Sequence, residues 1–285
     1  MAEEAQSALA LFLAQRPRLR LLAYRLLGST GDADDVVQDA WLKWHPVADR
    51  VDHPAAFLTT QVTRLAIDRL RAARRRADAL QATPWLPEPW AEPLAPGESD
   101  LSTGLLLLLE RLTPDQRAVY VLREAMDLDF AEIADVLDKP VATCRQIMHR
   151  ARAALVATPR VPMERGQAAA LVARFAAACD QRDYRALVAL LSEDARLLSD
   201  GGTKVRAARN PILGPDRIGR FLLGVRRKFT PEGFALRPVT ANGQPALMGE
   251  VEGEVRWILT FAHAQGRIAG IYLQADPDKL AGWRM

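Results

Sequence analysis

Phe130-Ala-Glu-Ile-Ala-Asp-Val-Leu137, Asp138-Lys-Pro140 and Val141-Ala-Thr-Cys-Arg-Gln-Ile-Met-His-Arg-Ala-Arg-Ala-Ala-Leu155 form the stretch on which the reading of this chain turns. Glu132, Ile133, Ala134, Val136 and Leu137 make a short amphipathic helix. After a break at Asp138-Lys139-Pro140, Cys144, Met148, Ala151 and Leu155 fall on one face of a second helix. Its other face presents Arg145, Gln146, His149 and Arg152, side chains suited to base edges and phosphates. That spacing predicts a helix-turn-helix whose second helix enters a major groove. An ordinary helical hairpin with a solvated basic face shows the same pattern, because the period sets the faces and not the ligand.

Upstream, Thr113-Pro114-Asp115 opens another helix, with proline at its first position. Residues 1–77 read as helix throughout. Gly28-Ser29-Thr30-Gly31 ends the first helix, Asp32 or Asp34 is positioned to cap the second, and a third spans Pro54 to Arg76. Acidic Asp32, Asp34, Asp35 and Asp39 open the second helix, while Arg64, Arg69, Arg71, Arg74, Arg75 and Arg76 crowd the third. Such charges can be simple dipole complements and solvated ends. With Trp41, Trp44, His45, His53 and Phe57 between them, they could also make a stacking platform beside a phosphate groove. Trp41 is the ring expected in the core.

Between the helical blocks, Pro84, Pro87, Pro89, Pro93 and Pro96 forbid a continuous helix or interior strand. Trp85, Leu86 and Trp90 give this linker more apolar surface than a free spacer needs. A second break, Thr158–Pro162, leads into two helices at Met163–Cys179 and Tyr184–Leu191. Short strands are expected at Ala195–Leu198 and Thr203–Ala207, then a helix from Gly214-Pro215 to about Phe229. Four more strands follow, separated by the hairpin signals Asn242-Gly243, Glu252-Gly253 and Gln265-Gly266. An antiparallel sheet packed on helices accommodates that order.

The chain has 285 residues, 49% hydrophobic and 26% charged, a composition that excludes wholesale disorder. Lys and Arg number 38 against 35 Asp and Glu, so any polyanion partner must be met by local clusters rather than net charge. Two cysteines, Cys144 and Cys179, exclude a disulfide framework, and both read as small buried hydrophobes. No metal site is expected. The acidic start Met1-Ala-Glu-Glu is unlike a secretory signal, and the longest apolar run, Leu105–Leu109, falls far short of the roughly 20 residues of a membrane helix. A cytoplasmic protein without membrane contact is expected.

Gly31-Asp-Ala-Asp-Asp-Val-Val-Gln-Asp-Ala-Trp-Leu-Lys-Trp44 and Ala56-Phe-Leu-Thr-Thr-Gln-Val-Thr-Arg-Leu-Ala-Ile-Asp-Arg-Leu-Arg71 resemble the promoter-melting domain of extracytoplasmic-function sigma factors. Leu112-Thr-Pro-Asp-Gln-Arg-Ala-Val-Tyr-Val-Leu-Arg-Glu124, Phe130-Ala-Glu-Ile-Ala134 and His149-Arg-Ala-Arg152 resemble their second DNA-binding domain. Pro84-Trp-Leu-Pro-Glu-Pro89, Asp200-Gly-Gly-Thr-Lys204 and Asp276-Pro-Asp-Lys-Leu280 look like signatures of the subgroup with a fused SnoaL-like C-terminal domain. Thr203 stands where that subgroup usually has a third glycine, and Asp276 where it usually has asparagine.

The resemblance implies two all-α sigma domains, the second with a helix-turn-helix, followed by an α+β NTF2-like or SnoaL-like cone. Their expected bounds are 1–77 for region 2, 78–102 for the proline-rich linker, 103–157 for region 4, 158–162 for a short linker and 163–285 for the cone with its tail. It implies core RNA polymerase and promoter DNA as partners. Asp35, Gln38 and Asp39 would meet the polymerase; Thr60, Arg64, Asp68 and Arg71 would face the melted minus-ten element, with the loop His45–His53 receiving an extruded base. Arg145, Gln146 and His149 would read the minus-thirty-five element, with Lys139 and Arg152 on phosphates.

For the cone, intramolecular regulation without a cofactor is expected, because Asp200–Lys204 and Asp276–Leu280 are polar, Gly- or Pro-bearing and loop-like and so suit gripping an extended linker. Asp200, Gly201, Gly202 and Lys204, with Asp276, Pro277, Asp278, Lys279 and Leu280, would grip the linker at Trp85, Leu86 and Glu88, the last pairing with Lys204 or Lys279. Such cones can hold a small-molecule ligand, for which Asp180, Tyr184, Trp257 and His263 are candidate lining groups, but no acid–base constellation is placed by the sequence. A non-enzymatic sigma factor is therefore expected. The competing class is a one-component DNA-binding regulator whose cone senses or turns over a small ligand.

Overall fold

The computed structural model describes residues 2–77, 85–93, 101–155, 163–229 and 231–283. Pro84, Pro96 and the 158–162 break lie outside the described residues. The first block is α1 (Ala2–Leu27), α2 (Thr30–Trp44), a 3₁₀ turn at His45–Arg50, and α3 (Pro54–Ala77). The Ser29 hydroxyl accepts the Asp32 N–H and so caps α2, a role expected of Asp32 or Asp34. Asp34 is instead held by Arg20 of α1 at 2.7 Å. The core gathers Leu19, Leu22, Leu26, Val37, Ala40, Leu58 and Val62. Trp44 is fully buried among them, whereas Trp41 is only half-buried. The reason is helical phase: Val37, Ala40 and Trp44 continue one stripe, and Trp41 sits a step around the helix, its ring tilted against Phe12 at 4.8 Å between centroids.

The second block is α4 (Thr103–Leu109), α5 (Pro114–Glu124), α6 (Phe130–Leu137) and α7 (Val141–Leu155). Capping boxes start two of them, Thr113 with Gln116 on α5 and Asp129 with Glu132 on α6. α6 ends on Asp138 in the left-handed region at φ 52°, which turns the chain into α7. Cys144, Met148 and Ala151 are buried. Burial pushes the Cys144 thiol up against the opposing charge of Lys139.

The third block is α8 (Arg165–Asp180), α9 (Tyr184–Ala189), β1 (Leu191–Asp200), β2 (Ile212–Leu213), α10 (Pro215–Phe229), β3 (Phe234–Ala241), β4 (Gln244–Val251), β5 (Glu254–Ala264) and β6 (Arg267–Gln274). The sheet runs β2-β1-β6-β5-β4-β3, with β1 parallel to β6 and every other pair antiparallel. This is the α+β arrangement that the resemblance implies, with one parallel pair where the order of elements led to an antiparallel sheet, because α9 delivers β1 beside the C-terminal strand β6. All three hairpin turns place both central residues at positive φ, as two-residue turns between twisted strands require.

Thr203–Ala207 is not a strand. Val205 N–H folds back onto the Gly201 carbonyl at 3.0 Å, and the edge of β1 that a strand would need is occupied by Ile212–Leu213. Sheet alternation gives the cone two faces. Leu247, Leu259, Phe261 and Ile271 pack inward on Leu171, Val172 and Phe175 of α8 and Ile218 of α10. Met248, Ile258 and Ala246 point outward, where Leu280 and Trp283 of the tail cover them.

Candidate nucleic-acid interface and linker clasp

On α7, Arg145, Gln146, His149 and Arg152 are all exposed on the face opposite the buried Cys144 and Met148. The Arg145 guanidinium lies 5.8 Å from the Phe130 ring centroid, and Arg152 pairs with Glu124 at 2.7 Å. Lys139, in the turn, reaches Asp115 of α5 at 3.3 Å.

Thr60, Arg64, Asp68 and Arg71 all lie on α3, and both arginines are engaged. Thr60 donates its hydroxyl to the Ala56 carbonyl at 3.0 Å. Arg64 donates to the carbonyls of Val136 at 3.0 Å and Asp135 at 3.5 Å, at the end of α6. Arg71 lies 3.5 Å from Asp68 and 2.9 Å from Asp115. A cleft of about 280 Å³ remains here, where Arg64, Arg71 and Lys139 face Asp68, Asp115 and Asp138. On α2, Gln38 is exposed, while Asp35 and Asp39 share Arg69 of α3 at 3.4 and 3.1 Å. That acidic stripe is thus partly neutralised from within.

The linker segment 85–90 lies extended on the outer face of the cone's sheet. Leu86 is 1% exposed. Its N–H donates to Asp200 Oδ2 at 2.9 Å, and its carbonyl accepts from Lys279 Nζ at 2.7 Å and Gln274 Nε2 at 3.2 Å. Lys279 simultaneously pairs with Asp200 at 2.7 Å and stands 4.6 Å from the Trp85 ring centroid. Pro89 offers its carbonyl to the Trp283 indole N–H at 2.9 Å. Trp90 and Asn242 bond in both directions: the Trp90 N–H donates to the Asn242 side chain at 3.2 Å, and the Asn242 N–H to the Trp90 carbonyl at 2.8 Å. Extended prolines suit this grip, since each interior proline removes a donor that the groove would otherwise have to satisfy.

The loops around the clasp follow from two glycines. A Cβ on Gly201 would lie 2.2 Å from the Val205 carbonyl oxygen; on Gly202, at φ 57°, it would lie 2.3 Å from an Asp276 carboxylate oxygen. Asp200 also accepts the Gly202 N–H at 2.9 Å. Burial alone would raise the Asp200 carboxyl; the Leu86 N–H, Lys279 and the Gly202 N–H outweigh it and hold it below the usual carboxylate range. Asp276 anchors the tail, accepting the Asp278 N–H at 3.1 Å, and Leu280 is buried under it. Pro277 follows Asp276 in that turn, outside the direct contacts to Leu86. Glu88 is half-buried, while Lys204 and Lys279, the two partners expected for it, pair with Asp278 and Asp200.

Gln274, Asn242 and Trp283 escaped the sequence reading. Gln274 could have been found by pairing, since it sits opposite Asp200 across β1 and β6 and therefore on the same face. The four candidate pocket residues do not form one set. Asp180 pairs with Arg226, Tyr184 donates to Asp216, Trp257 packs over Gly249 beside Phe234, and His263 stacks near Phe261. Burial lowers the His263 imidazole. Burial is the chief cause that pushes the Cys179 thiol up to about 12, away from the thiolate form.

Comparison with known proteins matches residues 11–76 to Sigma-70 region 2 and residues 103–155 to Sigma-70, region 4. The chain is 34% identical to the ECF RNA polymerase sigma factor SigJ of Mycobacterium tuberculosis, over 95% of this chain and 92% of that one. It is 28% identical to the probable ECF RNA polymerase sigma factor SigI of the same organism, over 94% and 92%. The crystal structure of Mycobacterium tuberculosis SigJ covers 96% of this chain and 98% of its own, at 32% identity and a TM-score of 0.78. With both helical modules matched in order and a full-length relative above 30% identity, the chain belongs to the extracytoplasmic-function sigma factors of the sigma-70 family.

Proposed function

We propose that this sigma factor joins core RNA polymerase through the α2 stripe Asp35, Gln38 and Asp39, meets the melted promoter element through Thr60, Arg64, Asp68 and Arg71 of α3, and reads the distal element through Arg145, Gln146 and His149 of α7. Lys139 and Arg152 supply phosphate contacts. The cone acts as a non-enzymatic regulator that holds the linker between the two DNA-reading modules, and its grip sets how far the modules can separate. A docked strap shortens the chain available between α3 and α4; a released one lengthens it. The two states differ in a handful of contacts, which is what an intramolecular switch needs.

One observation carries the regulatory part: the backbone of Leu86 is bonded on both sides by Asp200, Lys279 and Gln274, with its side chain buried. A passive tether would leave those groups in water. The test is in vitro transcription by core polymerase from a cognate promoter, comparing the full chain with Leu86→Asp and Trp85→Ala. Changed output at unchanged polymerase affinity supports the reading; identical output from all three removes it.

A further inference from the structure

We infer that Asp115 is a built-in stand-in for DNA phosphate, closing the two DNA-reading modules on each other until nucleic acid competes for Arg64 and Arg71. The inference rests on the reading that α3 and the helix-turn-helix face DNA. Asp115 presents one carboxylate oxygen to Arg71 of α3 at 2.9 Å and the other to Lys139 of the α6–α7 turn at 3.3 Å. Two anionic oxygens bridging two cations is the arrangement a backbone phosphate would offer the same side chains.

The arginines complete the closure in a reciprocal way. Arg64, from α3, donates to the last carbonyls of α6, the partially negative end of that helix. Arg117, from α5 and 2% exposed, donates to the Arg25 carbonyl in the last turn of α1 at 3.4 Å. Each module thus caps a helix end of the other. DNA must take Arg64 and Arg71 away from these partners, so the apparent affinity of the closed chain is reduced by the fraction of time it is open. Both ion pairs of Asp115 are partly exposed, with side chains 29–48% accessible, which makes the closure strong enough to bias the chain and weak enough to be displaced.

The full chain is compared with Asp115→Asn and Asp115→Ser, the second retaining a residue suited to a first helical turn. Asp127→Asn is the charge-matched control: Asp127 is exposed and sits at φ 53°, a conformation asparagine accepts. Binding of a fluorescein-labelled single-stranded DNA of mixed sequence, about 20 nucleotides long, is followed by anisotropy at low salt. Both Asp115 variants should bind about three- to tenfold tighter than wild type, with the control within about twofold. Hydrogen exchange in residues 60–72 and 131–140 should speed up in the Asp115 variants alone. Unchanged exchange overturns the closure. Faster exchange with unchanged DNA affinity overturns the DNA-facing reading of α3, and the phosphate mimicry with it.

Discussion

Lys279 and Asp200 form a buried ion pair, 2.7 Å apart with side chains 15% and 6% exposed, that is completed by the backbone of a third residue far away in sequence. Leu86 donates its N–H to the acid and offers its carbonyl to the base. The pair therefore presents one acceptor and one donor at strand spacing, and any extended segment with a free amide and carbonyl in register can satisfy both. The burial of Leu86 and the ring of Trp85 beside Lys279 add the side-chain selectivity.

Removing either partner should cost more than removing both. Lys279→Met leaves the Asp200 charge buried without its counter-ion, and Asp200→Asn does the same to Lys279; each is expected to destabilise the cone by about 3–5 kcal/mol. The double variant should fall well short of the sum. Urea unfolding of all four proteins measures the coupling, and additive losses would show that the two groups act independently.

The same pair sets an acid limit. Asp200 titrates below its ordinary value, with burial overcome by the Leu86 and Gly202 amides and by Lys279. Its contribution is accordingly present above the unfolded carboxylate range, about pH 3.9, and is lost as pH falls through the lower folded value. Thermal midpoints should be insensitive to this group between about pH 5 and 8, and the Asp200→Asn variant should lose part of the acid limb.

Gly202→Ala places a methyl group on a left-handed residue and against the Asp276 carboxylate. Both effects act in the same direction, and a loss of about 1–3 kcal/mol in cone stability is expected. Gly253→Ala offers a comparison: its φ is 81° with open space around the added carbon, so it carries the conformational cost alone. The difference in denaturation midpoint between the two isolates the close approach.

Arg145 and Arg152 share an exposed face, and the proposed function gives the first a base and the second a phosphate. Arg145→Ala should weaken promoter binding unevenly across base variants of the distal element, by about 1–3 kcal/mol at the position it reads. Arg152→Ala should weaken all sequences alike and reduce the salt slope by about one. Electrophoretic titrations over a promoter-variant set at several salt concentrations separate them.

Much of the architecture was readable along the chain because it is local. Proline at the first turn of α5, the Asp138-Lys139-Pro140 break and the Asn242-Gly243, Glu252-Gly253 and Gln265-Gly266 turns encode their own backbone geometry, and the elements they bound fall within a few residues of expectation. Where the reading slipped, the cause was helix phase, as for Trp41 and Trp44, or a position taken by another residue. Ser29 caps α2 because the helix already begins at Thr30, which puts Asp32 and Asp34 inside it, and Thr203–Ala207 lost its place beside β1 to Ile212–Leu213.

Residue order and periodicity alone establish the succession of helices and strands, a helix with one basic face and an apolar, proline-bearing strap, since helix phase, strand alternation and turn chemistry act over a few residues. Which oxygen Lys279 meets, that Gln274, Asn242 and Trp283 join it, and that Arg71 finds Asp115 rather than water are matters of folding. Those pairings join groups 44 to 194 positions apart, and no local rule ranks one distant carboxylate or carbonyl above another until packing brings it within hydrogen-bond reach.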